Sequence, residues 1–200
     1  MPDLVVPALD PATFFAGDQP ELRGDGLLLR AWRDSDWPAL VLAYADPDIQ
    51  RWHVRTLDER EAREWAIGRA QRWRNRTAVE WAITDETDSV LGRLGIPRFE
   101  FEKGLGAVAY WVLPEARGRR VAPRALAALC EWAFKRQGMH RLELDHSVDN
   151  EPSCRVAERS GFPLEGIKRA ELQHGDGWHD MHLHARLADD PPPPGALTAR

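Results

Sequence analysis

The sequence has little of what would place it in several large classes of protein. Only two cysteines occur among 200 residues, with no Cys-x-x-Cys spacing, which favours two reduced thiols over a disulfide framework. No apolar run approaches the ~18 residues of a membrane span, and the start of the chain lacks the basic stretch of a secretory signal. The net charge is -5, so the sequence lacks the excess of basic residues that is typical of nucleic-acid binders. We therefore expect a cytoplasmic protein that binds neither a membrane nor nucleic acid.

The composition is that of one globular domain, with 43% hydrophobic and 30% charged residues. Residues 1–26 show no sustained period, and we interpret them as an extended arm whose Phe14 and Phe15 pack on the domain or on a second subunit. Residues 27–187 form the predicted domain, and the proline-rich residues 188–200 are predicted to be a solvated tail. Pairing of exposed strand edges would allow a homodimer.

The stretch from Gly106 to Gly138 carries the strongest local pattern. A β-branched and aromatic run predicts a strand, a basic loop follows Pro114, and apolar residues at spacings of three and four predict a helix over 121–137. The first turn of a helix has unpaired N–H groups and is partly positive, so this arrangement predicts a polyphosphate site. The residues assigned to that site are Arg117, Gly118, Arg119, Arg120, Val121 and Ala122.

This block resembles the acyl-CoA-binding motif of the GCN5-related N-acetyltransferases: Gln or Arg, two residues, Gly, one residue, then Gly or Ala. Arg117 and Ala122 match its ends, whereas Arg120 stands where the family usually has glycine. Other pieces follow in family order, among them Asn150-Glu151-Pro152-Ser153, and they resemble the branch that acetylates N-terminal amines of ribosomal proteins. The resemblance covers residues 27–187.

The resemblance implies an α/β fold with a mixed, mostly antiparallel sheet, flanking helices and a splayed pair of parallel strands. The pattern from the residues agrees, because Arg141 to His146 alternates as a strand directly after the long helix and should lie parallel beside the Gly106 strand. The gap between such strands admits the pantetheine arm of acetyl-CoA, the implied cosubstrate. Backbone groups near Tyr110, Trp111 and Val112 would then bind it like an added strand.

The implied activity is acetyl transfer from acetyl-CoA to a primary amine, either a protein N-terminus or a small amine, by direct attack in a ternary complex. Many relatives protonate the leaving thiolate with a tyrosine beyond the last helix, but here Phe162 follows that helix and no tyrosine occurs after Tyr110. By analogy with the ribosomal-protein branch, Ser153 is the expected acid and Asn150 orients the pantetheine. Alternatively, Ser153 only caps its own helix.

Three residues are candidates for the base that receives the amine proton, directly or through water. Asp145 and His146 end the strand expected to face the reaction centre, and Glu80 lies on a neighbouring strand that can aim a carboxylate into the same groove. The alternative for Glu80 and Asp145 is a solvent-facing strand position.

Residues 46–55 are predicted to be the specificity loop, with Arg51, Trp52 and His53 as candidate substrate contacts; ordinary packing is the alternative. The acceptor stays open. It could be a small or aminoglycoside-like amine, and succinyl transfer would follow if Arg51 or Arg55 met a second carboxylate. The non-enzymatic alternative is that this protein shares the fold but binds CoA, or a partner protein, without catalysing a reaction.

Four histidines near the end of the chain raise the question of a metal: His174, His179, His182 and His184. His182 and His184 share one face of a predicted strand. No cysteine or carboxylate joins them at a recognised ligand spacing, so the sequence predicts no metal.

Overall fold

A mixed sheet runs through the computed structural model, which describes residues 6–193. The strands of this part of the chain are β1 (Leu22–Gly24), β2 (Leu27–Ala31), β3 (Val79–Thr84), β4 (Val90–Glu100), β5 (Leu105–Val112), β6 (Arg141–Ser147), β7 (Leu164–His174) and β8 (Gly177–Leu187). Their order in the sheet is β1-β2-β3-β4-β5-β6-β8-β7. Neighbours are antiparallel except β5 and β6, which are parallel. The predicted α/β class and the parallel pair are confirmed.

Six α-helices flank the sheet within the described residues: α1 (Pro11–Phe14), α2 (Trp37–Ala45), α3 (Pro47–His53), α4 (Glu59–Arg74), α5 (Val121–Cys130) and α6 (Glu151–Arg159). Glu131–Arg136 prolongs α5 with π-type hydrogen bonding. Gly138 then ends the segment at φ +68°, a left-handed conformation that suits glycine. The helix predicted over 121–137 is thus confirmed. None of the described helices is long and apolar enough to cross a bilayer.

The prediction of a loop over residues 46–55 is wrong, because α3 occupies most of that segment. Asp46 is the N-cap, and its carboxylate accepts a hydrogen bond from the Ile49 N–H at 3.0 Å. Pro47 follows at the first helical position, where proline is well tolerated. An Asp-Pro pair is a helix-start signal, and the sequence therefore did contain the evidence for α3.

The segment expected to be an extended arm contains α1 and the edge strand β1. Phe14 and Phe15 are buried, and both pack edge-to-face against Phe99. The Trp73 indole N–H also donates to the Gly17 carbonyl at 2.9 Å. The first of the two expected packing arrangements, against the domain itself, is the one observed. Most of the predicted proline-rich tail, residues 194–200, lies outside the described residues.

The sheet is covered on both faces. Along β3, Trp81 and Ile83 belong to the core shared with α5, whereas Ala82 belongs to a second core beneath α2 and α4. Every residue of β3 is buried as a result. A polar residue on this strand has no solvent-facing side, which matters for Glu80 below.

Candidate active site

The parallel strands β5 and β6 pair only over Leu105–Val108 and Arg141–Leu144, and beyond these residues they separate. A cavity of about 510 Å³ lies against the unpaired end of β5. Many of the residues assigned to CoA line it: Tyr110, Trp111, Val112, Arg117, Gly118, Arg120, Val121, Ala122, Asn150 and Ser153. The splayed pair expected from the resemblance is therefore present, with a cavity beside it.

The loop before α5 contains two residues in the left-handed backbone conformation. Gly118 has φ +76°, and a side chain built there would meet no atom within 4 Å. Arg120 has φ +57° at the N-cap of α5, and no side chain caps the helix. A left-handed non-glycine residue costs about 1 kcal/mol, so Arg120 adopts this conformation at some expense. The first-turn N–H groups of α5 remain available at the cavity wall.

Arg117 makes two ion pairs, with Asp46 at 2.6 Å and Asp48 at 2.9 Å. These contacts join the loop before α5 to the N-terminus of α3. Arg119 and Arg120 are exposed and form no ion pair among the described residues. Among the three predicted phosphate-binding arginines, the two without carboxylate partners are the better placed to meet phosphate charge.

A pair of hydroxyl groups lies inside the cavity. The Tyr110 Oη and Ser153 Oγ atoms are 2.8 Å apart. Asn150 is the N-cap of α6, its side-chain oxygen accepting from the Ser153 N–H at 3.2 Å, so the Ser153 hydroxyl is not used as the cap. Burial raises the pKa of Tyr110 to about 12, which keeps the phenol protonated at neutral pH. Sequence reasoning assigned only the backbone of Tyr110 and missed its phenol.

Glu80 lies in a buried cluster of charges rather than in the cavity. Its carboxylate contacts Arg69, Arg72 and Arg93, and the side chain has no exposed surface. Burial alone would raise the pKa of Glu80, but Arg93 and Arg69 outweigh it, so that the pKa lies below its ordinary value. A carboxylate held by three guanidinium groups is a poor proton acceptor, and neither the base nor the solvent-facing position expected for Glu80 fits this geometry.

Asp145 and His146 also lie away from the cavity wall. Asp145 is partly buried and pairs with Lys168 at 2.8 Å, and the His146 ring stacks on His184 with centroids 5.0 Å apart. The carboxylates that line the cavity are Asp48, which pairs with Arg117, and Asp149. Sequence reasoning missed Asp149, although it directly precedes the Asn150 that was singled out.

The predicted substrate residues of α3, Arg51, Trp52 and His53, also line the cavity. The Arg51 guanidinium lies 4.5 Å from the centre of the Trp52 ring, and Trp52 meets His174 edge-to-face. Burial, with the charge of Arg93, lowers the pKa of His53 to about 4. The wall is thus aromatic and neutral at pH 7, with a cation at its edge.

The comparison with known families decides the class of this site. The model described as "Acetyltransferase (GNAT) domain" matches residues 26–163, which include the loop before α5, Tyr110 and Ser153. The chain belongs to the GNAT acetyltransferase family. It is accordingly an N-acetyltransferase of a family that uses acetyl-CoA, and the cavity beside β5 is its candidate active site.

Individual relatives of this GNAT protein are distant. The ribosomal-protein-serine acetyltransferase of Escherichia coli is 29% identical over 139 residues, which cover 69% of this chain and 76% of the relative. A GNAT-family acetyltransferase of Bacillus anthracis superposes with a TM-score of 0.76 at 20% identity, over 86% of this chain and all of that one. The structure of a ribosomal L7/L12 α-N-protein acetyltransferase in complex with coenzyme A superposes with a TM-score of 0.77 at 24% identity, over 84% of this chain and 98% of that one. The two structural likenesses support the GNAT fold.

Proposed function

We propose that the protein transfers an acetyl group from acetyl-CoA to the α-amine at the N-terminus of a polypeptide. One observation carries this proposal: a single cavity joins the uncapped N-terminus of α5, the unpaired end of β5 and the Tyr110–Ser153 hydroxyl pair. The 29% identical relative named as a ribosomal-protein-serine acetyltransferase supports a polypeptide acceptor.

The donor fits this cavity in three parts. The diphosphate meets the first turn of α5 and the exposed Arg119 and Arg120, where the helix dipole and free N–H groups favour negative charge. The pantetheine amides bind the unpaired β5 edge beyond Val108. The thioester then lies near Ser153, because this residue lines the same cavity at the start of α6.

Acetyl transfer forms a bond between the amine nitrogen and the acetyl carbon and breaks the bond from that carbon to sulfur. The departing thiolate needs a proton, which the Ser153 hydroxyl donates while the Tyr110 phenol, 2.8 Å away, hydrogen-bonds to it; water that enters the cavity then returns one proton to Ser153, and Tyr110 keeps its own. Neither cysteine lines the cavity in the described structure. The absence of a cavity thiol supports direct attack in a ternary complex over an acyl-enzyme.

The amine must be neutral before it attacks. An N-terminal α-amine has a pKa of about 8, whereas a lysine side chain has one of about 10.4, so the α-amine needs little help at pH 7. Asp149 is the carboxylate of the cavity wall that receives this proton, directly or through water. Glu80, Asp145 and His146 have no place in this scheme, because none of them lines the cavity.

The acceptor is tested by thiol release from acetyl-CoA with matched peptides. One peptide has a free N-terminus and no lysine, the second is the same peptide with a blocked N-terminus and one lysine, and a small amine and an aminoglycoside complete the set. We expect turnover with the first alone. Equal or faster turnover with any other acceptor contradicts the proposal, as does a preference for succinyl-CoA. Binding of CoA without thiol release with any acceptor identifies a non-catalytic relative.

The hydroxyl pair is tested with Ser153→Ala and Tyr110→Phe. We expect Ser153→Ala to lower kcat about 10-fold with little change in KM, a modest effect for a general acid because a thiolate leaves readily. Tyr110→Phe should have a smaller effect in the same direction. The control is Ser89→Ala, which removes an exposed hydroxyl outside the cavity. An unchanged kcat in Ser153→Ala rules out this residue as the acid.

A further inference from the structure

Three imidazoles and one thiol meet between α6 and the sheet, outside the acetyl-CoA cavity. They come from His146 on β6, His182 and His184 on β8, and Cys154 on α6. One nitrogen or sulfur atom from each residue lies within 4.8 Å of those of the other three. Spacing along the chain gave no sign of this group, because Cys154 is 28 residues or more from His182 and His184 and joins them only through the fold.

Two of the three histidines have a fixed proton. The Nδ1 atom of His146 lies 2.7 Å from the Ser147 carbonyl oxygen, and that of His184 lies 2.9 Å from the Phe162 carbonyl oxygen. A carbonyl only accepts hydrogen bonds, so both Nδ1 atoms carry the hydrogen and both Nε2 atoms present a lone pair. Metal-binding histidines typically donate their second ring N–H to a carbonyl in this way.

The lone pairs in this group lack ordinary partners. The His146 Nε2 and His182 Nδ1 atoms are buried and have no hydrogen-bond partner in the described structure. Solvent water has little access to His146, since this residue is only 4% exposed. His184 is fully buried, and among the described residues the hydrogen-bond partner of its Nε2 atom is the Cys154 sulfur, at the long distance of 3.9 Å. Burying an unpaired nitrogen costs about 1–3 kcal/mol, so two such atoms on neighbouring side chains of one group need an explanation. A bound cation with nitrogen and sulfur ligands supplies one.

The chemistry of the donors selects the ion. Imidazole and thiolate ligands suit Zn²⁺, whereas Mg²⁺ and Ca²⁺ require oxygen. Tetrahedral bonds of about 2.1 Å place ligand nitrogens about 3.4 Å apart, so the group has to contract by roughly 1 Å. Cys154 and His182 are only partly buried, and they leave a path for the ion from solvent.

We propose that His146, Cys154, His182 and His184 bind one zinc ion in a four-ligand structural site. Binding replaces the Cys154 thiol proton, which passes to the buffer, and forms three zinc–nitrogen bonds and one zinc–sulfur bond. The site ties α6 to β6 and β8. Because Ser153 precedes Cys154, the ion fixes the part of α6 that forms the wall of the acetyl-CoA cavity.

The test uses untagged protein, since a polyhistidine tag would itself bind zinc. After chelator treatment and dialysis, zinc is added in competition with a chromophoric chelator. We expect one zinc per chain and a higher Tm. Co²⁺ in place of zinc should give the intense visible bands of tetrahedral coordination and a thiolate-to-cobalt charge-transfer band.

Variants separate this site from adventitious binding. His182→Gln and Cys154→Ala should weaken zinc binding at least about 100-fold, and Cys154→Ala should abolish the charge-transfer band. The control variants are His140→Gln and Cys130→Ala, because neither residue belongs to the four-residue group. Both should bind zinc as tightly as the wild type does. Zinc-free Tm values of all variants establish that each one is folded. The proposal is overturned if the wild type binds zinc no more tightly than Cys154→Ala does. It is also overturned if His182→Gln binds zinc as tightly as the wild type. These readouts do not depend on acetyl transfer.

Discussion

The buried charges around β3 have hydrogen-bonding and ion-pair partners, whereas two of the imidazoles around β8 each have a nitrogen without a partner among the described residues. Glu80 contacts three arginines, and Arg30 pairs with both Asp36 and Asp88. Around β8, by contrast, His146 and His182 each keep a buried nitrogen without a partner. A fully paired polar cluster is complete as a structural element, whereas the unpaired nitrogens of His146 and His182 are the basis of the zinc proposal. Substitutions in the two regions should therefore behave differently.

The largest effect is expected from Glu80→Gln. The substitution leaves the buried Arg93 without its full counter-charge, and breaking such a pair should lower the free energy of unfolding by about 3 kcal/mol or more. Chemical denaturation measures the change. Glu64→Gln is the matched control, because Glu64 pairs with Arg60 on the exposed side of α4 and should change stability little. A loss no larger than in the control would contradict the structural role given to this cluster.

Asp36→Asn should have the next largest effect. Asp36 accepts two hydrogen bonds from the buried Arg30, but Arg30 also retains Asp88 as a partner. We expect a loss of about 2 kcal/mol, again measured by denaturation. If Asp36→Asn costs more than Glu80→Gln, the ranking of the two clusters by pairing is wrong.

His53 should give a smaller, pH-dependent effect. Its pKa of about 4 in the folded protein lies below the ordinary 6.5, through burial and the charges of Arg93 and Arg55. Between these values the unfolded chain binds a proton that the folded chain does not, so stability falls as the pH drops from 6.5 to 4. His53→Gln should reduce this dependence. An NMR titration of His53 with a midpoint near 6.5 would contradict the expectation.

The smallest effect is expected from His182→Phe in zinc-free protein. Since the buried Nδ1 atom has no hydrogen bond to lose, replacing the imidazole by an apolar ring should leave the free energy of unfolding within about 0.5 kcal/mol or raise it. Denaturation in the presence of a chelator measures this. A loss above about 1 kcal/mol would mean that His182 is paired in solution, and the contrast between the two regions would disappear.

Local pattern predicted most of the fold. Periodicity identified the helix after Pro114 and the strand at Arg141, and the short connection between them required a parallel arrangement with β5. The segment over 46–55 was missed because its polar residues outweighed the Asp46-Pro47 start signal.

The site was predicted only in part, for a physical reason. The phosphate loop is contiguous, so its motif is visible in the sequence. The Tyr110–Ser153 contact joins residues 43 positions apart, and the partners of Glu80 come from two different elements. A prediction from alternating polar and apolar residues also assumes that one face of the strand is exposed to solvent, which is not so for β3. Residue spacing therefore cannot identify which side chains pair with Glu80 across the sheet.

The ion pairs of Arg117 with Asp46 and Asp48 have a consequence for the order and strength of binding. They connect the loop assigned to the donor with α3, whose far end carries Trp52 and His53 on the proposed acceptor side. A donor phosphate that draws Arg117 away changes the anchoring of α3, and the acceptor affinity must change by the same factor as the acceptor changes that of the donor. Because the carboxylates and the phosphate compete for one cation, the size of this coupling should fall as ionic strength rises, while the two factors stay equal.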